Sequence, residues 1–193
     1  MRKLIVWNLM TLDGYFEGPK PWDLDFHMLA WGPELERYGI NFGQEGDLLI
    51  FGRNTYEGMA AYWPHATSEL EIKKYMNKIA KIVISKKLKK AEWHNTRIVR
   101  DPVAELTKLR NEPGKDMYIF GSGELIASLQ DHDLIDEYRI CVVPVLLGGG
   151  RPLFKTTGKQ LKLKLIDAHS LQTGGVILRY EPVREAAASA TGD

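Results

Sequence analysis

Three short stretches place glycine, hydroxyl or basic residues directly behind an apolar run. They are Phe51-Gly52-Arg53-Asn54-Thr55, Ile84-Ser85-Lys86 and Phe120-Gly121-Ser122-Gly123-Glu124-Leu125. In open α/β sheets, ligands bind in the crevice outside the carboxyl ends of the strands. The first and third stretches run into helix starts, whose free N–H groups and positive dipole ends suit phosphate oxygens. Ser85 and Lys86 add a hydroxyl and a cation. Two anion-ready helix starts beside a basic loop suit a pyrophosphate with an extra 2′-phosphate, so the expected cofactor is NADPH. The candidate cofactor-binding residues are Gly52, Arg53, Asn54, Thr55, Ser85, Lys86, Gly121, Ser122, Gly123, Glu124 and Leu125. Taken singly, Gly52 and Gly121 could be plain turn glycines and Lys86 to Lys90 a solvated loop. Their common sheet edge favours the ligand.

Two competing nucleotide motifs fail. Gly121-Ser122-Gly123-Glu124-Leu125-Ile126 lacks the third glycine of the dinucleotide fingerprint, and roughly 20 residues on there is a strand, Arg139 to Val143, with no acid to hold a ribose. No Gly-Lys-Ser/Thr occurs anywhere, which excludes a P-loop.

The substrate side offers fewer groups. Asp13, in Thr11-Leu12-Asp13-Gly14, is the catalytic candidate, as an acceptor for a substrate N–H or O–H or as a proton relay; the alternative is a turn aspartate. Trp22, within a loop with two prolines, and Asp25 and His27 just after it are candidate substrate contacts, Trp22 as a pocket wall. The plain alternative for His27 is a partly exposed helix histidine. Arg151 beside Gly148-Gly149-Gly150 could meet a substrate phosphate, or simply be a solvated loop arginine. The other four histidines show no ligand spacing, and no metal is expected.

These residues need elements to hold them. Lys3 to Met10 reads as a buried strand and residues 17–23 as a loop, with a helix from about Leu24 or Pro33 to Tyr38. Asp47 to Phe51 is a strand, and a helix begins at Asn54. Ser68-Glu69-Leu70-Glu71 has the form of a capping box, with Ile72, Tyr75, Met76 and Ile79 at helical spacing. Lys81 to Ser85 and Arg97 to Arg100 are strands. Asp101-Pro102 supplies an N-cap and an N1 proline, and Pro113-Gly114 ends that helix. Met117 to Phe120 is a strand, Glu124 to Leu129 a short helix, and 138–147, 161–170 and 175–182 are strands. Helix-separated strands followed by consecutive strands indicate a mixed sheet, parallel early and antiparallel late. Gly121 to Gly123 is expected at a surface turn, where Gly123→Val should abolish NADPH binding and leave the fold intact.

The bulk composition narrows the function classes. The 193 residues suit one domain, over 1–184, with 185–193 as a frayed tail. A net charge of +1 gives no pull toward nucleic acid. No stretch approaches the ~20 apolar residues of a membrane span. The apolar start is broken by Asn8 and Asp13 with no cleavage site, so no signal peptide is read. The one cysteine, Cys141, fits a reducing compartment, and a cytoplasmic protein is expected.

From about Arg2 to Pro182 the chain resembles the dihydrofolate reductase-like superfamily, most closely the reductase domain of riboflavin-biosynthesis deaminase/reductases and its stand-alone relatives. Met10-Thr11-Leu12-Asp13-Gly14-Tyr15 is similar to the turn after their first strand. Gly52-Arg53-Asn54-Thr55-Tyr56-Glu57 resembles their phosphate-holding helix start, and Gly121-Ser122-Gly123-Glu124-Leu125 the glycine pair under the pyrophosphate. Leu134-Ile135-Asp136-Glu137-Tyr138 and Val143-Pro144-Val145-Leu146-Leu147-Gly148-Gly149 resemble the strand ending in Pro-x-Leu-Leu-Gly. The resemblance implies a three-layer α/β fold with helices on both faces of a central, mostly parallel sheet. It also implies NADPH-dependent hydride transfer to a small heterocyclic or ribosylaminopyrimidine substrate, and commonly a homodimer. Pro21-Trp22 resembles the Pro-Trp of dihydrofolate reductases, but the position of their catalytic acid holds His27 here. A dihydrofolate or pterin reductase is one alternative. A non-catalytic nucleotide-sensing module on the same fold is another.

Overall fold

The computed structural model describes residues 1–156 and 158–184; the expected tail from 185 lies outside them. Among the described residues, ten strands and five α-helices follow in the order β1 (Leu4–Thr11), β2 (Tyr15–Glu17), α1 (Pro33–Glu45), β3 (Gly46–Gly52), α2 (Arg53–Tyr62), α3 (Leu70–Lys78), β4 (Ala80–Ile84), β5 (Thr96–Val99), α4 (Pro102–Arg110), β6 (Asp116–Phe120), α5 (Gly123–Gln130), β7 (Glu137–Val143), β8 (Arg151–Pro152), β9 (Leu163–Ser170) and β10 (Val176–Pro182). A 3₁₀ turn, Asp25–Leu29, precedes α1.

Eight strands form one sheet in the order β5-β4-β3-β6-β1-β7-β10-β9. The first six are parallel, and β10 is antiparallel to both its neighbours. This is the expected mixed sheet. Period-2 alternation splits each central strand between two cores. Ile5, Trp7, Leu49 and Phe51 face α1 and α3, where Leu35, Phe42, Ile72 and Met76 close the layer. Leu4, Val6, Leu48 and Ile50 face α4 and α5, against Leu106, Leu109, Ile126 and Leu129. Burying each large side chain contributes roughly 1.5–3 kcal/mol.

The Asp101-Pro102 reading holds: Asp101 Oδ1 accepts from the Val103 and Ala104 N–H groups at 3.1 Å, opening α4. Three local expectations are corrected. Helix α1 runs on to Glu45, because Leu35, Tyr38 and Phe42 continue one apolar stripe beyond Tyr38. The Ser68 capping box does not form: Glu69 sits at the N-cap with φ +53 and makes no side-chain cap, and its carboxylate accepts from the Tyr62 hydroxyl at 3.0 Å. Strand β7 ends at Val143 rather than 147, and the chain then turns to form β8, which pairs with β2 in a second, two-stranded sheet. That pairing requires Gly150, at φ +147, since a Cβ there would lie 2.4 Å from the Glu17 carbonyl oxygen.

Strand β9 stands apart at the sheet's edge, with all eight of its residues exposed. Its pairing with β10 puts Leu163, Leu165 and Ala168 on one face beside Leu178 and Tyr180, and Lys164, Asp167 and His169 on the other. An irregularity between Arg179 and Tyr180 keeps this division along the strand.

Candidate active site

Parallel pairing fixes where the strands end. Gly52 lies opposite Ile84, Ile84 opposite Val99, and Trp7 opposite Phe120. The turns after β3, β4, β5 and β6 therefore open onto one edge of the sheet. There a cavity of about 1190 Å³ runs from Arg53, Lys86 and Arg100, past Gly121 to Leu125, to Trp22, Asp25, His27 and Arg151. Every candidate residue from the sequence lines it except Asp13.

The floor is a tight junction of two turns. Gly121 (φ +55) and Ser122 (φ +67) are consecutive left-handed residues, and Ser122 stands at the N-cap of α5 without a side-chain cap. Ser122 Oγ accepts the Gly52 N–H at 2.8 Å and lies 3.0 Å from Thr55 Oγ1 and from the Phe120 carbonyl. The Gly121 N–H donates to Asn8 Oδ1 at 2.6 Å, while Asn8 Nδ2 is buried with no partner. Helix α2 likewise starts behind Gly52 with no side-chain cap. The first N–H groups of α2 and α5 are thus available to an anion. Leu125 contributes backbone only, since its side chain belongs to the α5 core.

Gly123 departs from expectation. It is buried, and a Cβ there would lie 2.9 Å from the Leu153 carbonyl oxygen and 3.2 Å from that of Pro152. The protein's own backbone, rather than a ligand, demands glycine at this position. Gly123→Val therefore collides with the chain around β8 and cannot leave the fold untouched.

At the basic end, Ser85 Oγ accepts from the Lys87 and Leu88 N–H groups at 3.2 and 3.0 Å, so its acceptor capacity shapes the loop. Arg100, unmarked in the sequence reading, donates to the Ser85 and Leu88 carbonyls. Its signal was there: it follows β5 as Lys86 follows β4. Arg53 reaches Glu57 at 3.8 Å, and both side chains are about half exposed.

At the opposite end Trp22 adopts φ +64, donates its N–H to Glu17 Oε1, and rests its ring on Gly58, where a Cβ would come within 2.3 Å. Glu17 Oε2 pairs with Arg151 at 3.3 Å. Lys155, also missed from sequence, pairs with Glu124 at 2.8 Å. Burial holds the His27 imidazole down to about 4, and its Nε2 has no partner. The ring is neutral near pH 7, a hydrogen-bonding group rather than a cation. Asp25 is exposed at the rim.

Asp13 lies outside the cavity. Its carboxylate accepts from the Thr11 hydroxyl at 2.6 Å and from the Leu147 and Gly148 N–H groups at 3.1 and 2.8 Å. The Thr11 bond, with these amides, holds its pKa below the usual carboxylate range. This geometry is that of the turn aspartate: it ties the β1–β2 turn to the loop before β8.

Comparison with known proteins agrees with this architecture. Residues 2–178 match the model of the RibD C-terminal domain. The uncharacterized protein YyaP of Bacillus subtilis (strain 168) is 28% identical over 182 residues, 93% of this chain and 94% of its own. A solved structure from Shewanella sp. PV-4, assigned to riboflavin biosynthesis, superposes with a TM-score of 0.77 at 25% identity, covering 94% of this chain and 99% of that one. A dihydrofolate reductase from Enterococcus faecalis, solved with NADP(H), superposes with a TM-score of 0.61 at 13% identity, covering 93% and 96%; at that identity the likeness is one of fold. The matched span and the shared sheet lead to one conclusion: the chain belongs to the RibD C-terminal domain family and has the dihydrofolate reductase-like α/β fold.

Proposed function

We propose that this protein is an NADPH-dependent reductase that transfers hydride to a small heterocyclic substrate. One observation carries the reading: a single large cavity joins two uncapped helix starts and three cations at one end to an aromatic chamber at the other. Family membership supports a reductase-type function. The residues fit a dinucleotide phosphate. The starts of α2 and α5 would hold the pyrophosphate, and Arg53, Lys86 and Arg100 the 2′-phosphate. Asn8, with an unspent buried amide donor, would meet the nicotinamide carboxamide. When bound, the reduced nicotinamide supplies the hydride, and the protein binds, orients and excludes water. At about 1190 Å³ the cavity exceeds the roughly 300–1,000 Å³ of a one-ligand site, leaving room for a substrate.

A dihydrofolate or pterin reductase fits less well, because neutral His27 cannot balance a protonated pterin as an acid would. The test is calorimetric binding of NADPH and NADH, followed by NADPH oxidation with pterins, flavins and aminopyrimidines. Cofactor binding without turnover on any of them would favour a nucleotide-sensing module. A cytoplasmic setting accompanies this proposal, in keeping with the buried thiol of Cys141. Among the described residues no helix is long and apolar enough to cross a membrane.

A two-fold dimer belongs to the same proposal. The apolar face of β10 and β9 alternates as a core face would, yet Leu163 and Leu165 are 42% and 50% exposed. Phe154, which packs on Tyr138 of the same face and is 41% exposed, extends this patch; a stable dimer needs to bury about 600 Å² per copy, about 1,200 Å² in total. A second copy is the self-complementary occupant, since two-fold contacts pair one patch with itself.

A further inference from the structure

We infer that the substrate is a planar, unphosphorylated ring compound, and this inference rests on the reductase reading above. The chamber beyond the nicotinamide end is walled by Trp7, Trp22, Met28, Trp31, Met59 and Trp63. Flat indole faces and flexible thioethers suit a flat apolar ligand. Five cations line the whole cavity. Arg53, Lys86 and Arg100 stand at the ends of β3, β4 and β5, on the side taken by the cofactor. The other two are already matched, Arg151 by Glu17 at 3.3 Å and Lys155 by Glu124 at 2.8 Å.

A substrate phosphate would therefore have to displace a carboxylate from its partner, leaving Glu17 or Glu124 beside a second anion. Anionic ligand groups fare no better at the chamber's own polar atoms, where Asp25 and Glu69 are themselves carboxylates. His27 is neutral, and the Glu69 carboxylate is engaged by Tyr62. The buried His27 Nε2 has no partner there, and it can orient a ring nitrogen or carbonyl without demanding charge. Reduction of such a ring balances with one hydride from NADPH, which leaves as NADP⁺, and one proton from water.

The experiment follows tryptophan fluorescence with NADP⁺ present, so that no turnover occurs. Three probes are titrated: lumichrome, riboflavin and riboflavin 5′-phosphate. The last two differ by a single phosphate. Saturable quenching by lumichrome is expected, with riboflavin binding at least about tenfold tighter than its phosphate ester. Met28→Glu, at a residue 68% exposed and thus safe for folding, should weaken lumichrome by about tenfold while NADP⁺ raises the melting temperature as before. Equal or tighter binding of the phosphate ester overturns the inference, as does the absence of saturable quenching by all three. If NADP⁺ and NADPH give no thermal shift while lumichrome still quenches, the reductase reading fails and the ring chamber stands.

Discussion

Replacing Arg53 and Lys86 together by alanine tests where the 2′-phosphate of the dinucleotide is held. Arg100, the third cation of that end, is already bonded to the Ser85 and Leu88 carbonyls. Arg53 reaches only Glu57, at 3.8 Å, and Lys86 has no bonded partner among the described residues. Both are therefore ready to take a phosphate. A sheltered charge-assisted hydrogen bond is worth about 1.5–3 kcal/mol. The Arg53 side chain is 47% exposed, however, and solvent screening lowers the contribution of each cation to about 1 kcal/mol. That corresponds to roughly fivefold in affinity per residue, and roughly 30-fold for the pair. NADH lacks the 2′-phosphate, so its affinity should stay within about twofold. Isothermal calorimetry at fixed ionic strength measures both cofactors on both proteins. The NADPH advantage should also shrink as salt is raised, because these cations are solvent-exposed. Equal affinities of the parent protein for NADPH and NADH would refute the placement. So would a double variant that weakens both cofactors by the same factor.

Four further outcomes follow from particular contacts. Asp13→Ala should lower the melting temperature and leave NADPH affinity unchanged, since its carboxylate serves Thr11, Leu147 and Gly148; selective loss of catalysis in a fully stable variant would contradict this. Gly123→Ala should cost about 1–3 kcal/mol of stability by overpacking against Leu153, seen in thermal melts with and without cofactor. His27 takes up a proton near 6.5 when unfolded but only near 4 when folded, so the unfolded state binds more protons between these values. Stability should fall as pH drops through that window, by at most about 3 kcal/mol, and His27→Gln should flatten the urea-denaturation profile there. Leu165→Glu should shift light scattering from twice the monomer mass toward 21.9 kDa; a parent protein that scatters as a monomer at micromolar concentration would remove the dimer from the proposal.

Much of this protein was legible in local sequence, because local chemistry was sufficient. Asp101-Pro102 starts a helix through its own side chain and ring, whatever the rest of the chain does. Glycine or hydroxyl residues behind apolar runs mark strand ends, and parallel pairing then brings Gly52, Ser85 and Gly121 to one edge. Other features depended on partners distant in sequence. Asp13 lies in the same kind of turn whether its carboxylate faces a substrate or the amides of Leu147 and Gly148, more than 130 residues away. Gly123 reads as a surface turn until β8 crosses it. Glu137 and Arg139 read as ordinary polar strand residues, yet they form a buried ion group with Arg179, with Glu45 joining through Arg139, which only the β7–β10 pairing and the end of α1 could assemble. The cations of the cavity divide in the same way. Their positions after β3, β4 and β5 follow from sequence and parallel register. That Arg151 and Lys155 are already paired was decided by Glu17 and Glu124, because the fold brings those carboxylates to them from distant parts of the chain.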